Sequence, residues 1–203
     1  MKIGIINLGI NNIKSVKDFF SLFGDTYILN HSDDFILDTQ IMILPGNGSF
    51  GAGVENLKKK KFDILLNNLR KEKIFIIGIC LGMQLFFESS DENSDVRGLN
   101  FFDGKVKKIV SKNCRLPLLG WYEISSFQKE IDKKNFFFNN GYSCFSNNDD
   151  FVTSKIDLGD FELQSSIKNE NVVGFQFHPE KSSSNGLQLI KKGSYIIDFN
   201  DNN

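Results

Sequence analysis

The stretch Ile74-Phe75-Ile76-Ile77-Gly78-Ile79-Cys80-Leu81-Gly82-Met83 decides the fold class of this chain. Ile74 to Ile79 carries no polar side chain, which is the pattern of a strand buried on both faces. A helix is predicted to follow, from Leu81 to about Phe87. Upstream, Ile3-Gly4-Ile5-Ile6, Tyr27-Ile28-Leu29 and Ile41-Met42-Ile43-Leu44 are further strand candidates, the last ending at Pro45-Gly46. Between them Ile13, Val16, Phe19, Phe20 and Phe23 recur at helical spacing and stop at Gly24. A second helix is predicted over Val54 to Leu69, with Val54, Leu57, Leu65 and Leu69 inward. Its Lys58-Lys59-Lys60-Lys61 run reads as a solvated face.

Strands alternating with helices predict an α/β fold with a mostly parallel central sheet flanked by helices. Downstream the pattern changes. From Gly104 to Phe177 short alternating stretches, such as Val106 to Val110 and Phe161 to Ser165, predict an antiparallel, strand-rich second half. A last helix is expected from Leu187 to about Ile197, with Ser184 as its cap. No linker or repeat interrupts the pattern, so residues 1–203 read as one domain.

Composition narrows the function classes. Of the 203 residues 40% are apolar and 24% charged, values that exclude wholesale disorder. Lys and Arg number 24 against 25 Asp and Glu, so no basic excess points to nucleic acid or to an anionic membrane. No segment approaches the roughly 20 apolar residues of a spanning helix. The opening Lys2-Ile3-Gly4-Ile5-Ile6 lacks the layout of a secretion signal. Three cysteines, Cys80, Cys114 and Cys144, read as reduced thiols of a cytoplasmic protein. The 21 Phe reflect compositional bias rather than a functional signal.

Gly78-Ile79-Cys80-Leu81-Gly82 is the cysteine form of the G-x-S-x-G nucleophile elbow. Glycines two residues to either side allow a sharp strand-to-helix turn that lifts the side chain clear of the sheet. At a helix N-terminus, free N–H groups favour the thiolate, and the Leu81 N–H is placed to serve an oxyanion hole. Taken alone, the pentapeptide fits a buried structural cysteine equally well.

A cysteine nucleophile needs a base, and the chain has two histidines. His178 lies in Gly174-Phe175-Gln176-Phe177-His178-Pro179-Glu180, at the end of an apolar strand. Side chains two apart on a strand share a side, so Glu180 is expected to orient the His178 imidazole. His31, in a polar stretch, reads as a solvated loop residue. No Cys/His spacing suits a metal. The loop Leu44-Pro45-Gly46-Asn47-Gly48-Ser49-Phe50 follows a strand and lacks the phosphate-binding pattern, so it is either a second oxyanion donor or a plain turn.

Together these residues resemble the class I (triad) glutamine amidotransferases. Gly78 to Gln84 looks like that family's nucleophile signature, and Phe175 to Glu180 like its base signature. Within the family, Cys-Leu-Gly-Met-Gln, Leu-Pro-Gly-x-Gly-Ser-Phe and His-Pro-Glu-Lys-Ser are similar to the glutaminase subunits of imidazole glycerol phosphate synthases. The segment Asn7 to Val16 resembles them at Gly9, Asn12, Ser15 and Val16, and the likeness runs from about Lys2 to Ile197. The resemblance implies Cys80 as nucleophile, His178 as base and Glu180 as its partner, with Gly48 and Leu81 forming the oxyanion hole. It implies Gln84, Glu92, Gly141 and Tyr142 at the glutamine site, and Trp121, Lys181 and Asn12 at a partner interface. It also implies hydrolysis of L-glutamine through a Cys80 thioester, no metal or other cofactor, and a heterodimer with a (β/α)₈-barrel cyclase that consumes the ammonia.

Several residues depart from the family pattern, among them Leu118, Tyr122, Asn140 and Asn47. Leu118 and Tyr122 stand in Pro117-Leu118-Leu119-Gly120-Trp121-Tyr122, where the family shows Pro-His-Met-Gly-Trp-Asn. Asn140 replaces the histidine of His-Ser-Tyr, and Asn47 a valine. They are expected at positions that communicate with the synthase, and so admit a paralogue that feeds ammonia to amidino-sugar synthesis. Other readings of the elbow are a cysteine hydrolase related to the PfpI proteases and an inactive scaffold subunit.

Overall fold

The computed structural model describes residues 1–10 and 12–192. The first half runs β1 (Lys2–Ile6), α1 (Ile13–Phe20), β2 (Asp25–Leu29), β3 (Ile41–Gly46), α2 (Phe50–Lys59), α3 (Phe62–Lys71), β4 (Phe75–Cys80) and α4 (Leu81–Gln84). The second half runs β5 (Phe87–Ser90), β6 (Phe102–Lys108), β7 (Leu118–Ser126), β8 (Lys134–Asn140), β9 (Tyr142–Ser146), β10 (Val152–Asp157), β11 (Glu162–Asn169), β12 (Val172–Phe175) and α5 (Ser183–Lys192).

Nine strands form one sheet in the order β2-β1-β3-β4-β12-β11-β10-β7-β8, and β5, β6 and β9 form a second. From β2 to β12 neighbouring strands are parallel; from β12 to β8 they are antiparallel. The expected α/β fold is therefore present, with the antiparallel strands continuing the parallel sheet. β3 is buried at every position, and β4 at all but Phe75. Alternate residues supply two cores. Ile41, Ile43, Ile77 and Ile79 pack on one face with Val16 and Phe20 of α1 and Leu189 and Ile190 of α5. Met42, Leu44 and Ile76 pack on the other with Val54, Leu57, Leu66 and Leu69.

One consequence of the topology positions the site. β12 pairs parallel with β4, Phe175 opposite Ile79, and β3 pairs with β4, Gly46 opposite Cys80. Three strands thus end together at one carboxyl edge, where parallel sheets bind ligands. Cys80, the Asn47–Gly48 loop and the Gln176–His178 segment all arise there.

Three predicted helices differ from the observed ones. The helix expected over Val54 to Leu69 is two, broken where Lys61 adopts a left-handed φ of 57°. In one continuous helix Phe62 and Leu66 turn away from the face bearing Val54 and Leu57; the break resets the phase and buries all four. Lys60 leaves the lysine run, its Nζ donating to the Asn7 carbonyl at 2.6 Å. The helix after Cys80 is one turn rather than reaching Phe87, because the carbonyls of Leu85 and Phe86 accept from Leu99 and Phe101 instead. The last helix begins at Ser183, so Ser184 lies inside its first turn; the part expected beyond residue 192 lies outside the described residues. Among the described residues no helix is long and apolar enough to cross a membrane.

Candidate active site

Cys80 ends β4 with φ 55° and ψ −109°, a conformation that a non-glycine residue holds only where its surroundings impose it. The surroundings are close. A Cβ on Gly82 would stand 1.7 Å from the Leu44 carbonyl oxygen, and one on Gly78 2.5 Å from the Phe86 ring. Both glycines are required by close packing at the turn. Cys80 is buried, and its Sγ lies 3.8 Å from the Gln176 Nε2 and 4.0 Å from the Asn139 carbonyl oxygen.

The His178 Nδ1 and Glu180 Oε1 are 2.8 Å apart, with both side chains almost wholly buried. The expected contact is present, but its geometry differs from the prediction. β12 ends at Phe175, and Glu180 belongs to a 3₁₀ turn over Pro179–Lys181 that folds its carboxylate back onto the imidazole. The backbone around His178 is held on two sides. Its N–H donates to the Phe137 carbonyl at 2.9 Å, and its own carbonyl accepts from the Ser182 hydroxyl at 2.6 Å. That hydroxyl also accepts from the Phe137 N–H at 3.0 Å.

Burial opposes a charge on the His178 ring, yet the neighbouring Cys80 sulfur and Glu180 carboxylate outweigh it and raise its pKa to about 10. The imidazolium is therefore the form the site favours at neutral pH. Nε2, the ring's other nitrogen, is buried and makes no hydrogen bond of ordinary length among the described residues.

A cavity of about 320 Å³ opens beside the sulfur, lined by Asn47, Gly48, Cys80, Leu81, Gln84, Glu92, Asn139, Asn140, Gly141 and Tyr142. Gly48 has φ +112°, a conformation suited to glycine. Glu92 reaches the rim by accepting from the Phe50 N–H at the start of α2, at 2.7 Å. Gln84 donates through Nε2 to the Tyr142 carbonyl at 3.0 Å and to the Gln176 Oε1 at 3.3 Å.

The cavity thus gathers seven of the ten sequence-predicted residues outside the His178–Glu180 pair. The other three lie elsewhere. Trp121 is half-exposed on the outer face of β7, its ring centroid 6.1 Å from that of Phe137. Lys181 places its Nζ 5.7 Å from the same Phe137 ring. Asn12 precedes α1 and donates to the Ser15 hydroxyl. His31 follows the end of β2, three places from β4 in the sheet order, and caps a 3₁₀ turn over Ser32–Asp34.

A thiol on a strained turn, beside a carboxylate-held imidazole and opening onto a polar cavity, is equipped for acyl transfer. A family model for glutamine amidotransferase class-I matches residues 23–196. The chain belongs to the class-I glutamine amidotransferases. It is 37% identical over 198 residues to the imidazole glycerol phosphate synthase subunit HisH of Pyrococcus furiosus, covering 94% of this chain and 96% of that one. To the subunit of the same name in Bacillus subtilis it is 30% identical, covering 93% of each. Among solved structures, one titled as a glutamine amidotransferase superposes with a TM-score of 0.72 at 14% identity, over 92% of this chain and 96% of that chain. PurLQS from Thermotoga maritima gives 0.68 at 17% identity, over 88% and 87%. At such identities the likeness shows the fold.

Within this amidotransferase the departures at Leu118 and Asn140 are buried, and Tyr122 is half-buried. β7 alternates, so Leu118, Tyr122 and Ile124 turn inward while Leu119, Trp121 and Glu123 turn out. Leu118 is fully buried and faces Asn140 across the β7–β8 ladder, and Asn140 is 6% exposed. Leu118 and Asn140 offer no docking surface themselves; Asn140 and Asn47 line the cavity.

Sequence reasoning also passed over three groups. Gln176, two residues before His178, is an uncharged amide that only its neighbours in the fold single out. The Asn139 carbonyl leaves no signature in a single sequence, and the Ser182 hydroxyl closes His-Pro-Glu-Lys-Ser without its backbone partners being readable from it.

Proposed function

We propose that this chain is the glutaminase subunit of an imidazole glycerol phosphate synthase, hydrolysing L-glutamine to glutamate and ammonia for histidine biosynthesis. The observation that carries the reading is the meeting, at one sheet edge, of the Cys80 turn, the His178–Glu180 pair and the polar cavity. The full-length similarity to subunits of that name supports the choice of synthase.

On this reading the Cys80 thiolate attacks the carboxamide carbon of glutamine. The oxygen takes up the charge and meets the N–H groups of Gly48 and Leu81. His178, already protonated, gives its proton to the departing nitrogen; the C–N bond breaks and ammonia leaves. Water then adds to the thioester while His178 takes its proton, and the C–S bond breaks to return the thiolate and free glutamate. Glu180 keeps the imidazole oriented through both steps. Glu92 suits the α-ammonium of glutamine, with Gln84, Gly141 and Tyr142 shaping the wall around the head group. The reaction needs no metal or other cofactor, and residues 1–203 act as one domain in the cytoplasm.

The partner is a (β/α)₈-barrel cyclase bound as a heterodimer, with neither nucleic acid nor membrane involved. Trp121, Lys181 and Asn12 form its contact surface, and the outward row of Leu119 and Trp121 supplies apolar area there. A diazoketone analogue of glutamine tests the chemistry. Incubated with the partner-bound protein, it is expected to label the Cys80 peptide alone, with excess glutamine protecting. Labelling absent from Cys80 contradicts the reading.

A further inference from the structure

Gln176 is fully buried and stands between two groups of the site. Its Oε1 accepts from the Gln84 Nε2 at 3.3 Å, and its Nε2 points to the Cys80 Sγ at 3.8 Å. The direction of this amide is imposed from outside it. A backbone carbonyl only accepts, so the Tyr142 carbonyl, 3.0 Å from the Gln84 Nε2, fixes which end of Gln84 faces inward. The second proton of that NH₂ group meets Gln176, whose oxygen must face Gln84 and whose own NH₂ must then face the sulfur. The Asn140 Nδ2 also donates to the Tyr142 carbonyl, at 2.9 Å, and completes the chain.

We infer that Gln176 is a positioning residue for the nucleophile, its Nε2–H held by the Tyr142–Gln84 chain so as to stabilise charge on the Cys80 sulfur. The inference rests on the reading of Cys80 as nucleophile. Charge resides on that sulfur twice: before attack, and when the thioester C–S bond breaks and the electron pair returns to it. His178 supplies the positive partner but gives up its proton during the cycle. A neutral amide keeps its proton throughout, so its N–H is present in both states.

Other titratable groups face the sulfur and belong to the same balance. His178 and Glu180 approach from the turn after β12, and Glu92 and Tyr142 lie across the cavity. Cys144 on β9 is wholly buried, and burial, with the nearby Cys80 as a second cause, holds its thiol well above the usual range. Cys144 therefore stays protonated and does not compete as a thiolate.

The test is the pH profile of Cys80 alkylation by iodoacetamide, read by mass spectrometry in a Cys114→Ser background. Gln176→Leu, close in volume but without the donor, is expected to move the profile up by about one pH unit, a tenfold loss of thiolate below the midpoint. With glutamine and the partner, kcat is expected to fall about tenfold and KM to change less than twofold, as for an interaction made at the sulfur and not with substrate. An unmoved profile in folded Gln176→Leu overturns the inference. Should that variant fail to fold, Gln84→Met keeps Gln176 but frees its amide to turn. A smaller shift in the same direction supports the inference, and none overturns it. Alkylation reads the thiol directly, so wild-type protein that does not hydrolyse glutamine refutes the glutaminase reading while the profile still decides the role of Gln176.

Discussion

Two strands end side by side at the active edge and are held in different ways. At the end of β4, Cys80 is buried, its turn is strained, and neither Gly78 nor Gly82 has room for a methyl group. At the end of β3, Gly48 is exposed, and a Cβ there would find nothing closer than the Ile10 Cδ1 at 3.9 Å. The Asn47 N–H beside it donates to the Ile10 carbonyl at 3.1 Å, in the loop that leads to Asn12. The proposed nucleophile is fixed by packing, whereas the proposed oxyanion donor rests on a loop that is hydrogen-bonded to the segment before Asn12, a residue of the proposed partner surface. On the proposed reading, control by the partner acts at the second strand end, and the chain alone is expected to show low basal activity.

Substitutions sharpen that contrast. Gly82→Ala carries the largest effect, because backbone must move to admit the methyl; a loss of about 3 kcal/mol or more is expected in denaturant titration. Gly48→Ala meets open space and costs only its backbone strain, about 1–3 kcal/mol, so the fold survives while glutaminase activity falls. Equal losses of stability for the two would erase the distinction between the strand ends.

Glu180→Gln leaves the turn intact and removes the charge that helps hold the imidazolium. A fall in kcat of about 10²-fold or more is expected. Because the folded His178 is raised to about 10 from 6.5, its contribution to stability is full below about pH 6.5 and disappears as pH rises through about 10. The stability gap between wild type and Glu180→Gln should therefore be widest in mild acid and close toward pH 10. A gap that widens with rising pH contradicts the assignment. The smallest effect on the fold belongs to Trp121→Ala, about 1 kcal/mol, since the half-exposed ring gives up its edge contact with Phe137. The same change is expected to weaken cyclase binding by about 30-fold or more, measured by calorimetry.

The strand-to-helix turn at Cys80 was legible because two glycines around a cysteine after an apolar run admit few structures. The pairing of His178 with Glu180 was legible too, although a 3₁₀ turn and not strand alternation produces it. The break at Lys61 was hidden, since a lysine in a left-handed conformation follows from the need to bury Phe62 and Leu66 and not from its own propensity. The inward direction of Leu118 and Asn140 depends on the phase of the β7–β8 ladder, which a single sequence does not disclose. Gln176 escaped notice because an uncharged amide becomes informative only when its neighbours orient it.

The most direct measurement is the glutaminase rate of the chain with the same organism's histidine-pathway cyclase, with and without that enzyme's ribulosyl phosphate substrate. Strong stimulation by that substrate, abolished in Cys80→Ala while the complex still forms, is the predicted result. Hydrolysis indifferent to the cyclase, or surviving the loss of Cys80, contradicts the account.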